Sequence, residues 1–343
     1  MTVNDVIKAF KNLSEDIKTN INSAMYQQMT AQAEEKNGWF EKTQTQTALI
    51  NVAYLIDSFT TLNVERNALY IQSRTSNYHS PKNILIICAG NIPAVAFHDI
   101  MCVMLSLNKA VIKLSSNDNV IIPFLLKRLR SFLPELSLSF SIEGVELNDN
   151  NSTSNSNLSN IDGVIATGSN SSSLIFEQYF KNIPHIIRKS RYSVAIIKEG
   201  ADISGLEDDI CLYFGLGCRS ISHLFVPKAY DFSLLFQKLQ KYAHFAEHNK
   251  YCNNLVYQKA VMIMNNIEFI DAKSVILRQN DELYSPVGVV NYSYYDDISE
   301  VYRIIEAEKD NLQCVATEFG KCQKPLFTDY ADGVNTLQFL SSI

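Results

Sequence analysis

The pattern of apolar and polar positions changes character near residue 80. Before it, apolar residues recur at helical spacing, most clearly in TALINVAYLIDSF (47–59), and no strand-like run intervenes. Residues 1–79 are therefore expected to form a helical region, ended by the break His79-Ser80-Pro81. After it come short, continuous apolar runs: NILIICAG (83–90), KAVIKLSS (109–116), SFSIEGVEL (139–147) and DGVIATGSN (162–170). Runs of that length, apolar throughout, suit parallel strands buried on both faces. Helical patterns separate them at 94–107, after Pro93, at 119–133, where Pro123 predicts an irregularity, and at 172–180. The Asn/Ser-rich stretch LNDNNSTSNSNLSN (147–160) reads as a surface loop or a weak helix. Strands alternating with helices predict an α/β domain with a mainly parallel sheet over 80–192.

A second α/β unit is expected from residue 193. SVAIIKEG (193–200), SHLFVP (222–227), LYSPVGVVNYSY (283–294) and LQCVAT (312–317) read as strands. FSLLFQKLQKYAHFAEHNKY (232–251) reads as one long amphipathic helix. The expected organisation is 1–79 helical, 80–192 and 193–322 as two α/β domains, and 323–343 as a C-terminal segment.

Composition adds limits. The 343 residues are 46% hydrophobic and 19% charged, enough for about two domains with a sizeable core. A net charge of −6 without a basic stripe argues against nucleic acid as a partner. The seven cysteines form no CxxC pair or disulfide framework, which predicts a reducing compartment and no metal site. The N-terminus is polar, and the longest apolar stretch (92–107) is interrupted by His98 and Asp99, so no membrane span is expected. A cytoplasmic protein is the expectation.

Cys218 lies in FGLGCRS (214–220), with glycines at 215 and 217 and a fixed positive charge at Arg219. A nucleophile would use both features, since glycine admits a substrate to the backbone and a cation favours the thiolate. A small buried thiol on a turn is the alternative. Asn91, in CAGNIP (88–93), follows a strand end, where ligands bind in open α/β sheets. Its amide could donate to an oxyanion or simply cap a turn. Lys113 lies in an apolar strand and either reaches a phosphate or ribose or snorkels to solvent. Gly168 and Ser169, in ATGSN, open a helix whose free N–H groups suit a phosphate. No GxGxxG occurs. His244, His248 and Cys252, four apart, would share a helix face with ligand spacing, although a mixed polar face is the stronger reading.

In order along the chain, these fragments resemble the aldehyde dehydrogenase superfamily. GNIP resembles its W-N-F-P segment, KAVIKLSS its N-x-V-V-x-K-P-S strand, and DGVIATGSN its F-T-G-S turn. FGLGCRSISHLFVP resembles its G-Q-x-C segment, and DELYSPVGVV its E-x-F-G-P-V. Within that superfamily, AGNIPAVAFHD, IIRKSRYSVAII and GLGCRSISHLFVPKAYDF are similar to the LuxC-like acyl-CoA reductases of bacterial luminescence. The resemblance covers most of the chain from about residue 80.

The resemblance implies an aldehyde dehydrogenase-like fold: a Rossmann-type nicotinamide dinucleotide domain over 80–192 and a catalytic domain over 193–322. It makes Cys218 the acyl-accepting nucleophile, with Asn91 and the Cys218 N–H as the oxyanion hole. Lys113 would contact the adenosine ribose, Gly168 and Ser169 would lie by the pyrophosphate, and Glu282 would face the nicotinamide ribose. Two departures refine it. Hydrolytic members carry a glutamate in E-L-G-G-K, whose place falls at about Arg188, and no acid occurs in 181–198. Without that base the acyl-enzyme is spared from water, which suits a reductase. Where many NAD-specific members carry a glutamate after the ribose lysine, this chain has Ser116, which tolerates a 2′-phosphate. NADPH is therefore expected ahead of NADH.

The expected activity is reduction of an acyl thioester, on CoA or on a protein, to the aldehyde. A homo-oligomer is implied, with a C-terminal segment shorter than in the luminescence members, and an acyltransferase or synthetase is the partner the resemblance suggests. A CoA-acylating aldehyde dehydrogenase working oxidatively, or a non-catalytic scaffold, are the alternatives.

Overall fold

The computed structural model describes residues 1–61, 80–138, 140–142 and 160–343. The predicted loop at 147–160 lies almost wholly outside these residues, as do 62–79 of the expected helical region and most of the predicted strand 139–147. The chain falls into two compact units, one of Met1–Lys189 with Leu326–Ile343 and one of Ser190–Pro325.

The first unit begins with three helices, α1 (Val3–Asn20), α2 (Ala24–Lys36) and α3 (Lys42–Thr61). Thr2 and Asp5 form a capping box that starts α1. Five parallel strands follow, β1 (Asn83–Ile87), β2 (Lys109–Lys113), β3 (Phe140–Ile142), β4 (Gly163–Thr167) and β5 (His185–Arg188), with helices α4 (Phe97–Leu105), α5 (Ile121–Phe132) and α6 (Asn170–Tyr179) between them. The sheet order is β3-β2-β1-β4-β5. The direction of winding reverses between β1 and β4, the switch point at which open α/β sheets bind ligands.

Both faces of this sheet are covered, which is why its central strands β1 and β4 are almost wholly apolar. Ile84 and Ile86 of β1 enter the core shared with α1, α4 and α5, while Leu85 and Ile87 join Val164, Ala166 and Phe176 on the other face. The helical region is locked on by a buried polar centre: Asp16 accepts from Arg128 Nε at 2.8 Å and Tyr26 Oη at 2.7 Å, tying α1 to α5 and α2. The C-terminal segment returns to this unit. Phe327 packs on Phe59 with ring centroids 4.6 Å apart, and its N–H donates to Ser58 Oγ at 2.8 Å.

Three predicted details differ. Pro123 leaves α5 regular, because it occupies the first turn, where its missing N–H would have no helical acceptor. Helix α4 starts at Phe97 rather than 94, since Ala94 turns left-handed (φ 58°) and its N–H donates to Asp118. Strand β5, HIIR, escaped the pattern because it is four residues long and half polar.

The second unit contains β6 (Tyr192–Ile196), α7 (Leu206–Cys211), β7 (Ile221–Pro227), α8 (Ser233–Leu239), α9 (Asn249–Met264), β8 (Ile270–Asp271), β9 (Ile276–Gln279), β10 (Val289–Tyr295), α10 (Ile298–Glu308) and β11 (Leu312–Ala316). Its sheet order is β11-β6-β7-β10-β9-β8, parallel except for the β8–β9 pair. The long helix expected over 232–251 is not one element. It passes from α8 through a 3₁₀ stretch (Gln240–Glu247) and stops at His248, whose extended backbone (ψ 111°) caps α9. His248 Nδ1 accepts from the Tyr251 N–H at 3.2 Å. His244, His248 and Cys252 therefore share no helix face, and no described cluster of His, Cys, Asp or Glu could hold a metal ion. No described helix is long and apolar enough to cross a membrane.

Candidate active site

In the first unit, Asn91 follows β1, Lys113 ends β2, and Gly168 and Ser169 follow β4, all at the carboxyl ends of adjacent parallel strands. The register pairs Ile87 with Lys113, and the Cys88 N–H donates to the Lys113 carbonyl at 3.0 Å. The loops after β1 and β2 touch. A Cβ on Gly90 would lie 2.4 Å from Ser115 Oγ and 2.7 Å from Ser115 Cβ, so only glycine allows this approach. Asp118, buried in the second loop, clamps the first by accepting from Ala94 at 2.9 Å and also accepts from Ile121 at the start of α5. Burial pushes the Asp118 carboxyl up to about 6. Asn91, Ser116 and Ser169 are exposed on this rim, and Lys113 is half-buried.

Gly168 closes on α6, where a Cβ would meet Phe176 Cε2 and Ser172 Cβ, each at 3.0 Å. Ser169 caps α6 by accepting from the Ser172 N–H at 3.2 Å. The loops around the switch point thus combine close backbone approach, a helix start and a lysine. Those features fit the phosphates and ribose of a dinucleotide.

The position of the absent glutamate holds Arg188, at the end of β5 and only 4% exposed. Both of its terminal nitrogens donate to Asp99 of α4, Nη2 at 2.9 Å, and Nη2 also reaches Thr336 Oγ1 at 3.1 Å. A paired cation stands there, with no proton acceptor to offer.

In the second unit, Cys218 lies in a turn between α7 and β7, closed by the Ser220 N–H donating to the Gly217 carbonyl at 3.0 Å. Three consecutive residues upstream, Tyr213, Phe214 and Gly215, have positive φ (55°, 57° and 70°). Left-handed backbone at two aromatic residues costs roughly 1–3 kcal/mol each. Packing holds it, with the Phe214 ring buried against Phe245 and His248 at 4.3 and 4.5 Å. Cys218 itself is half-buried, and its carbonyl accepts from Ser193 Oγ at 2.8 Å. Arg219 directs Nη1 at Cys314 Sγ, 3.4 Å away, a cysteine that the motif reading passed over.

Glu282 is presented by a segment pinned to the same strand. Its carbonyl accepts from Asn291 Nδ2 at 2.8 Å and contacts His223 Nδ1 at 3.1 Å. Ser222 Oγ donates to the Leu283 carbonyl at 2.6 Å. The Glu282 carboxylate is exposed, with Arg278 Nη2 at 3.7 Å. His223 is fully buried, and desolvation depresses its pKa to about 4. No spacing signal marks His223, Asn291 or Ser193. They are alternating strand residues that became polar anchors once the sheet assembled.

A family model described as acyl-CoA reductase (LuxC) matches residues 2–337. The chain belongs to this family. No curated protein matches the chain. Among solved structures, an aldehyde dehydrogenase from Mycobacterium tuberculosis complexed with NAD+ is 14% identical, with a TM-score of 0.60 over 89% of this chain and 71% of that one. Glyceraldehyde-3-phosphate dehydrogenase GapN from Methanocaldococcus jannaschii, complexed with NADP, is 12% identical, with a TM-score of 0.58 over 92% and 81%. A variant of 1-pyrroline-5-carboxylate dehydrogenase from Thermus thermophilus is 11% identical, with a TM-score of 0.61 over 99% and 80%. At these identities the likeness concerns fold. This LuxC family member has the aldehyde dehydrogenase-like architecture, α/β with parallel sheets and a helical N-terminal region.

Proposed function

We propose that this protein reduces an acyl thioester, carried on CoA or on a protein, to the aldehyde through an acyl group held on Cys218. The observation that carries the reading is the Cys218 turn, set by a strained and packed segment just upstream and leading into a central strand, in a chain matched to the acyl-CoA reductase family over 2–337. Lys113 and Ser116 would hold the adenosine ribose, Gly168 and Ser169 the pyrophosphate, and Glu282 the nicotinamide ribose. The neutral Ser116 favours NADPH over NADH. When bound, the reduced nicotinamide supplies hydride to the acyl carbon.

The Cys218 sulfur attacks the thioester carbonyl, forming a C–S bond and an oxyanion. The Cys218 N–H donates to that oxyanion, and the resemblance adds the Asn91 amide, a contact of a kind worth about 3–4 kcal/mol per donor. Expulsion of the thiolate leaves the acyl group on Cys218. Arg188, tied to Asp99, activates no water, so the thioester persists until it is reduced. Cys218 is then the leaving group as aldehyde departs, and its sulfur returns to the thiolate.

The test is nucleotide oxidation, followed by absorbance, with a panel of acyl-CoAs and wild type beside Cys218→Ala. Activity confined to wild type, with a Cys218 acyl adduct visible by mass, is expected. Near-normal rates in Cys218→Ser would overturn the assignment. Tight nucleotide binding with no acyl-CoA turnover would move the acyl donor to a protein.

A further inference from the structure

We propose that Cys314 and Cys322 form a reversible disulfide in response to hydroperoxide, a modification site beside the Cys218 turn. Cys314 lies on β11, the edge strand of the second sheet, in register with Ser193 of β6. Its N–H donates to Ser193 Oγ at 3.1 Å, and the same hydroxyl donates to the Cys218 carbonyl. Its sulfur accepts from Arg219 Nη1 and is in hydrogen-bonding contact with the Cys322 thiol.

Cys322 is held with equal definition. The fully buried carboxylate of Asp209 accepts from the N–H groups of Gly320 at 2.6 Å and Cys322 at 3.0 Å. Gln323 Nε2 donates to the Asp209 carbonyl at 3.3 Å and to Ser220 Oγ at 3.2 Å. The loop that carries the second thiol is thus tied both to α7 and to the residue that closes the Cys218 turn.

The pair is unlike the other buried thiols. Burial, helped by nearby carboxylates, pushes Cys88, Cys102 and Cys211 up, which makes them inert. At Cys314, the hydrogen bond from Cys322 outweighs burial, with Arg219 adding its charge, and the thiol falls well below its ordinary range. Cys322 is held up by the same contact and by burial, and the Arg219 guanidinium, 3.4 Å from Cys314 Sγ, marks Cys314 as the sulfur of the pair that ionises first. Cys314 is half-buried, and its neighbour Val315 is 38% exposed.

A thiolate, a neighbouring thiol and access are the elements of a peroxide-sensitive pair. The Cys314 thiolate attacks one peroxide oxygen, breaking the O–O bond to give the sulfenic acid and releasing the alcohol or water once a proton is taken up. The Cys322 sulfur then attacks Cys314. Its proton leaves with the sulfenic hydroxyl as water, and the S–S bond forms. The two sulfurs supply the two electrons that reduce the peroxide, and a dithiol restores them. Oxidation discharges Cys314, so Arg219 loses its anionic partner next to Cys218. Reductase activity is then expected to fall and to recover with dithiol. That consequence rests on the proposed function; the bond itself does not.

The test treats the full-length protein with hydrogen peroxide, blocks free thiols, digests with trypsin and reads masses without reduction. Cleavage after Lys309 and Lys321, and none at Lys324-Pro325, puts Cys314 in peptide 310–321 and Cys322 in peptide 322–343. The expected product is these two peptides joined, separated by dithiothreitol and absent in Cys314→Ser. Cys322→Ser, which keeps a donor beside Cys314, should instead hold a sulfenic acid at Cys314, trapped by a β-diketone, whereas Cys322→Ala, which removes that donor, should form it more slowly. Both cysteines found alkylated after peroxide, or Cys314 joined to Cys218, would overturn the proposal. Because the readout is a peptide mass, it stands even if no acyl-CoA is turned over.

Discussion

Replacing Gly90 by alanine tests whether the contact between the β1 and β2 loops shapes the proposed nucleotide site. The new Cβ would lie 2.7 Å from Ser115 Cβ and 2.4 Å from Ser115 Oγ, with Asn117 Cβ at 3.1 Å. The hydroxyl can rotate away, but Ser115 Cβ moves only with its backbone, so the loops must part by roughly 0.7 Å to reach ordinary contact. Asp118 resists that movement, since its carboxylate spans Ala94 and Ile121. Overpacking of this kind costs about 1–3 kcal/mol. The single tryptophan, Trp39, packs against the core of the same unit, so urea unfolding followed by its fluorescence reads this unit directly. Gly90→Ala should lower stability by that amount and raise the nucleotide KM about tenfold, corresponding to ~1.4 kcal/mol of displaced loop. Ser115→Gly removes both clashing atoms. In the double variant most of the loss should return, with a coupling energy of about 1–2 kcal/mol. A Gly90→Ala loss below about 0.5 kcal/mol, or the same loss with glycine at 115, would refute the reasoning.

Three further outcomes are expected. Arg188→Met leaves the Asp99 carboxylate buried without its partner and should cost about 3–5 kcal/mol in urea unfolding, whereas Arg188→Met with Asp99→Ala should cost less than the sum of the two single changes. For Asp118, the folded protein keeps until about pH 6 a proton that the unfolded chain releases near 3.8, so stability should fall as pH rises across that window, by up to roughly 3 kcal/mol. The difference curve between wild type and Asp118→Asn isolates this slope. His223 has the opposite sense, because its depressed pKa makes the unfolded chain take up the proton first, so acidification from about 6.5 towards 4 should destabilise wild type more than His223→Gln.

Much of the first unit was legible because its strands are buried on both faces. Ile84 to Ile87 alternate between two cores, and each needs an apolar side chain, so the run reads as a strand with no knowledge of its neighbours. The candidate residues after β1, β2 and β4 could be placed at strand ends for the same reason, since they follow such runs. Elements whose register depends on remote partners were harder to see. The break at His248 leaves no mark in the helical periodicity of 232–251; its ring packs on Phe214, some thirty residues away. The late start of α4 depends on Asp118 reaching back to Ala94. At Arg188 the sequence could show that an acid is missing, but not that the cation there is neutralised by Asp99, eighty-nine residues distant.

Local chemistry in the chain determined the strand runs of the first unit, the glycine-flanked cysteine, the helix-opening serine and the absence of a base before β6. Each depends on residues adjacent in sequence, where backbone preference and side-chain spacing act directly. Tertiary structure alone decided that Tyr213 and Phe214 stay left-handed, that Arg219 serves Cys314, and that Asp209 holds Cys322 against it. Those outcomes require groups far apart in the chain to be desolvated together. In a buried setting an unpaired charge or a strained residue is costly, and the partners that offset that cost are chosen by the fold rather than by sequence neighbours.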